Sequence, residues 1–113
     1  MGTMDNHPDE PLLAYVTLPS PDQALKIGQV LVEERLAACI HLLPGLTSIY
    51  RWQGVLETAQ EVLLLAKTQE SLRAPLIERI RSLHSYQIPC IVFLPIEGGY
   101  LPYLDWLKTE LRG

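Results

Sequence analysis

The side chains best suited to soft-metal or nucleophilic chemistry in this chain are two cysteines and two of its histidines, gathered in two short segments. Cys39 and His41 stand two positions apart in an apolar, β-prone run, where strand alternation turns both to the same face. A thiolate and an imidazole together suit Cu(I) and, more weakly, Zn(II). Such a pair begins a site without completing it, and the competing reading of Cys39 is a small core thiol, since free cysteine is among the most buried residue types. His84 follows an amphipathic helical pattern, where a helix C-terminus favours an imidazolium. A capping or inter-subunit hydrogen bond accounts for His84 as well as a metal does. Cys90 lies in another apolar run and reads first as structural, with a second thiolate donor as the alternative. His-x-x-x-His, Cys-x-x-Cys and Asp-rich loop spacings are absent, so the sequence contains no ready-made mononuclear centre.

Aromatic residues form the second pattern. Ser48, Tyr50 and Trp52 alternate onto one face of an extended segment and Arg51 onto the other. In an isolated subunit these rings would stand in water, so burial in an interface is the economical reading. The sharper alternative is a cleft between subunits, lined by Tyr50, Trp52, Lys67, His84 and Tyr86, that holds a small anion or another small-molecule effector. Catalysis finds no support in G-x-S-x-G, Walker or G-x-G-x-x-G patterns, and Cys39 with His41 or His84 lacks an evident orienting third group. The expectation is a protein that is not an enzyme.

The elements that must position these residues follow from periodicity and punctuation. Residues 12–18 are a short apolar strand ended by Pro19. Ser20-Pro21-Asp22-Gln23 starts a helix with a capping hydroxyl, a proline at the first position and glutamine at the third, and Ala24, Ile27, Gly28 and Leu31 form its apolar stripe. That helix ends near Arg35. Residues 37–52 form a long strand bent at Pro44-Gly45, and after a tight turn at Gln53-Gly54 residues 55–68 run back. At about 3.3 Å per residue each arm reaches roughly 45 to 50 Å, so the distal half must protrude from a sheet of ordinary size. Ser71 is placed to cap a second helix with Leu72, Leu76, Ile80 and Leu83 on its apolar face. Residues 87–96 read as a fourth strand, which Pro89 confines to an edge, and Tyr100, Tyr103, Leu104, Leu107 and Leu111 mark a final helix.

The order is βαββαβ plus one C-terminal helix. Right-handed crossovers put strands one and three in the centre and two and four at the edges, an α+β ferredoxin-like arrangement over a single domain at 12–113. Residues 1–11, polar and without periodicity, are expected to be a disordered tail. Long apolar edge strands invite pairing with other chains, and a homo-oligomer covers them.

Composition narrows the partners. A formal charge of −4, from nine Lys and Arg against thirteen Asp and Glu, leaves no basic stripe for nucleic acid. Two cysteines are too few for a disulfide framework, residues 1–10 carry no apolar signal region, and no stretch is long enough to span a membrane. A cytoplasmic protein with free thiols is expected.

Several spaced segments together resemble the CutA family of divalent-cation tolerance proteins. They are Glu34-Arg35-Leu36-Ala37-Ala38-Cys39-Ile40, Ser48-Ile49-Tyr50-Arg51-Trp52-Gln53-Gly54, Glu61-Val62 through Lys67-Thr68, His84-Ser85-Tyr86-Gln87-Ile88-Pro89 and Tyr103-Leu104-Asp105-Trp106-Leu107. The resemblance runs from Tyr15 to Leu111. It implies a ferredoxin-like homotrimer similar to the PII signalling proteins, interlocked by the long hairpins, and a link to copper and other divalent cations; no cofactor is expected to be essential for folding. The family form His-Pro-Tyr-Glu-x-Pro-Glu stands here as His84-Ser85-Tyr86-Gln87-Ile88-Pro89-Cys90, so both of its carboxylates are missing. Metal binding here should therefore be soft and thiol-dependent, through Cys39, His41, His84 and Cys90.

Overall fold

A computed structural model describes residues 7–113 and orders the chain as β1 (Pro11–Leu18), α1 (Pro21–Glu33), β2 (Cys39–Trp52), β3 (Val55–Gln69), α2 (Arg73–Leu83), β4 (Ile91–Pro95) and α3 (Leu101–Glu110). A short 3-10 turn over Glu70–Leu72 leads into α2. The strands form one antiparallel sheet in the order β2-β3-β1-β4, the ferredoxin-like arrangement expected from the crossovers.

Alternation along β1 and β3 divides the sheet into two faces. Leu12, Ala14, Val16 and Leu18 of β1 and Val62, Leu64 and Ala66 of β3 are buried on one face. There all of these but Leu12 meet Ala24, Ile27 and Leu31 of α1 and Leu76 and Ile80 of α2 in one apolar cluster. The Ser20 hydroxyl accepts the Gln23 amide at 3.2 Å, fixing the start of α1 as its capping sequence predicts. Gly28 lets α1 approach β2 closely, because a Cβ at that position would stand 3.0 Å from Ile40 Cγ2.

β1 pairs with β3 only over Val62–Gln69, so the β2–β3 hairpin continues well past the sheet, as its length requires. Gln53 and Gly54 both have positive φ, 50° and 83°, and close the hairpin as a two-residue turn between Trp52 and Val55. The register shifts between Leu43 and Leu46, where Pro44 and Gly45, the latter at φ 82°, oppose one residue of β3. This bulge has a functional consequence. Below it the odd-numbered Cys39, His41 and Leu43 pair with the odd-numbered residues of β3; above it the even-numbered Leu46, Ser48 and Tyr50 do. The bulge therefore brings Ser48, Tyr50 and Trp52 onto the same face as Cys39, His41 and Glu61.

Three boundaries differ from the sequence reading. β4 begins at Ile91 rather than 87, because the preceding segment is drawn aside by side-chain bonds from His84, Ser85 and Tyr86, and Pro89 stands outside the ladder. α2 starts without a side-chain cap: the Ser71 hydroxyl accepts from Gln69 Nε2 instead, and its amide donates to the Pro8 carbonyl. The tail expected over 1–11 falls partly outside the described residues. Its remainder is ordered, with Glu10 and Pro8 carbonyls accepting from Glu70 and Ser71 amides and Pro11 opening β1.

Candidate functional site

The face of the sheet opposite the helical core carries two separate groups of functional side chains. At the start of β2 and the end of β3, Cys39 pairs in register with Lys67. Cys39 Sγ lies 3.8 Å from His41 Nε2, so alternation does bring the two together. Tyr103 of α3 completes this group. Lys67 Nζ donates to its hydroxyl at 3.0 Å and sits 4.8 Å from its ring centre, and the same hydroxyl lies 3.4 Å from Cys39 Sγ. The Tyr103 hydrogen bond holds the Lys67 ammonium pKa above the ordinary lysine value, with a smaller contribution from Cys39.

The second group lies six residues away along β3, roughly 20 Å at about 3.3 Å per residue. Glu61 is 6% exposed, and its Oε2 accepts the Tyr86 hydroxyl at 2.8 Å. Burial and the adjoining carboxylate push the Tyr86 phenol up to about 12. Beside them opens a cleft of about 680 Å³, lined by Tyr15, Tyr50, Trp52 and Tyr86 with Glu61 and Cys90. Tyr50, Trp52 and Tyr86 thus share a cleft on one subunit, while Lys67 and His84, expected with them around a cleft between subunits, do not line it.

His84 holds this second group in place. Its ring lies against that of Tyr86, with centroids 4.8 Å apart, and both of its nitrogens are engaged. Nδ1 accepts the Tyr86 amide at 3.1 Å and Nε2 meets the Thr17 carbonyl at 2.8 Å. A carbonyl can only accept, so the ring carries its proton on Nε2. An imidazole used in this way has no lone pair left for a metal. Cys90, a free thiol like Cys39, opens on the cleft. The four expected metal ligands consequently do not converge: among the described residues no three His, Cys, Asp or Glu side chains are grouped to hold a metal ion. Cys39 and His41 remain as the donor pair.

Glu61, Tyr15 and the Cys39–Tyr103 contact were not singled out from the sequence. Glu61 precedes the apolar run Val62–Leu65 and resembles a solvated charge; only its alternation with buried Val62 points to the sheet's other face.

A family model described as CutA1 divalent ion tolerance protein matches residues 12–110. The chain is 54% identical over 98 residues to the divalent-cation tolerance protein CutA of Thermus thermophilus, covering 87% of this chain and 95% of that protein. It is 45% identical over 95 residues to human protein CutA, covering 84% of this chain and 53% of the human protein, so it spans about half of that relative. Among solved structures, the divalent cation tolerance protein from Thermus thermophilus superposes with a TM-score of 0.88 at 49% identity, covering 90% of this chain and 99% of that one.

Proposed function

We propose that this chain, which belongs to the CutA1 divalent ion tolerance family, works as a homotrimer that binds a soft metal ion through Cys39 and His41, copper in preference to zinc. The observation that carries this reading is the 3.8 Å separation of Cys39 Sγ and His41 Nε2. With metal–sulfur and metal–nitrogen distances of about 2.3 and 2.05 Å, two tetrahedral ligands stand roughly 3.6 Å apart and two trigonal ones about 3.8 Å. The spacing of the pair matches that of two ligands on a low-coordinate ion, and a thiolate–imidazole set suits Cu(I). Hard cations want several oxygen ligands, which this group lacks.

Assembly is supported by the sheet face that bears these residues. Leu43, Val92 and Leu94 on it are about half exposed, and Tyr50 and Trp52 extend the apolar surface along the protruding hairpin. Exposed apolar side chains grouped in this way on a lone subunit favour burial against another copy.

A second reading, a PII-like trimeric sensor that binds a small molecule between subunits, is favoured by the 680 Å³ cleft beside Tyr50, Trp52 and Tyr86. Competition for Cu(I) against a chromophoric chelator separates the two. Affinity should fall at least about tenfold, roughly 1.4 kcal/mol, in Cys39→Ser. Unchanged affinity in both Cys39→Ser and Cys90→Ser would remove the cysteines from the function and leave the cleft as its seat.

A further inference from the structure

Within the subunit, Glu61 is a buried carboxylate without a cation. Its one hydrogen bond is from the neutral Tyr86 hydroxyl, and none of the five ion pairs among the described residues includes it. Withdrawing a carboxylate from water costs several kcal/mol unless an opposite charge compensates, so such a group normally has a positive partner. The free space beside it is the 680 Å³ cleft, whose size is that of a small-molecule site. Four aromatic rings, Tyr15, Tyr50, Trp52 and Tyr86, line that space, and no lysine or arginine does.

Each alternative ligand class leaves part of this arrangement unused. An anion would meet the Glu61 charge with no compensating base, contrary to the small anion that Lys67 and His84 would have favoured. An inorganic divalent ion would gain one carboxylate and a few hydroxyls, fewer oxygens than hard cations require, and nothing from the rings. A neutral aromatic ligand would stack but leave the carboxylate uncompensated. A positively charged nitrogen carrying alkyl groups uses both the carboxylate and the rings, because its charge answers Glu61 and its methyl or methylene groups rest on electron-rich ring faces.

We infer that the Tyr50–Trp52–Tyr86 cleft binds an organic ammonium ion, with its charge toward Glu61 and its alkyl groups against the aromatic rings. This rests on the small-molecule reading of the cleft and names its ligand class. Cation–π contacts and the carboxylate both favour a positive charge, so charge should dominate selectivity over shape.

The test uses the full chain in its native assembly, with Trp106→Phe so that fluorescence reports Trp52 alone of the two tryptophans. The probes are choline, its uncharged isostere 3,3-dimethylbutan-1-ol, and acetate. Choline should bind saturably and at least tenfold more tightly than the isostere, acetate should not bind, and Glu61→Gln should bring choline and isostere within about threefold. Trp52→Phe should weaken choline more than the isostere. Because the wild-type comparison needs no change at Glu61, a poorly folding Glu61→Gln would not spare the inference. Equal binding of choline and isostere, or preference for acetate, overturns the ammonium assignment while leaving a ligand cleft in place. Absence of saturable binding by all three probes overturns the cleft reading together with it.

Discussion

Tyr86→Phe removes one oxygen and isolates the bond on which the cleft depends. Tyr86 donates to Glu61 Oε2 at 2.8 Å, and burial together with that carboxylate raises the phenol from 10.0 to about 12. A group whose folded pKa lies above its unfolded value stabilises the fold fully below the unfolded value, and that stability is lost as pH rises through the folded one. The window here is pH 10 to 12. At about 1.4 kcal/mol per pH unit the interval corresponds to roughly 2.7 kcal/mol lost by wild type, part of it the burial penalty on the phenolate, so with partial exposure the bond itself contributes at most about 2 kcal/mol. A hydrogen bond to a charged acceptor is typically worth about 1.5–3 kcal/mol, which agrees. Urea denaturation at fixed protein concentration, from pH 8 to pH 12, should therefore show Tyr86→Phe less stable by up to about 2 kcal/mol through pH 10, with the difference gone near pH 12. In an absorbance titration, one of the five tyrosines should ionise late in wild type and be missing from the variant. A stability difference that stays constant across the range, or a late-ionising phenol still present in Tyr86→Phe, would refute the reasoning.

Two further outcomes follow from packing. Trp52→Ala should weaken assembly by about 2 kcal/mol, roughly 30-fold, with the subunit fold retained, because Trp52 lies beyond the core; concentration-dependent light scattering checks this, and an unchanged oligomer would mean that the ring is merely exposed. Gly28→Ala gains about 1 kcal/mol of helix preference but drives a Cβ to 3.0 Å from Ile40 Cγ2, an overpacking cost of about 1–3 kcal/mol, so a net loss of up to about 2 kcal/mol is expected from the urea midpoint. A stabilised variant would contradict the close α1–β2 approach.

What the sequence made legible was whatever depends on neighbours along the chain. Ser20-Pro21 announces α1, Gln53-Gly54 announces the hairpin turn, and Pro44-Gly45 announces a bend, since each rests on the conformational preferences of two or three residues. Strand order followed as well, because crossover handedness leaves few choices. The extent of β4 did not follow: Gln87, Ile88 and Cys90 are as strand-prone as their neighbours, yet the segment is pulled aside by the bonds of Ser85 to Gln23 and Tyr86 to Glu61, partners 62 and 25 positions away.

The same distinction decides which residues share a site. Cys39 and His41 meet because alternation is a local rule, and Ser48, Tyr50 and Trp52 share a face for the same reason. Assigning Lys67 and His84 to the aromatic cleft required the pairing register and a side-chain direction, neither of which is local. The register sets Lys67 opposite Cys39, and the Thr17 carbonyl turns the His84 ring inward. The bulge joins the two levels. Its position can be read from Pro44 and Gly45, but its effect on the faces appears only once β2 is paired: two residues opposing one exchange the parity of everything beyond them. A β2 lacking that extra residue would turn Tyr50 and Trp52 away from Glu61, and the cleft would lose two of its four rings. The bulge is thus a condition of the cleft as well as of the curvature of the hairpin.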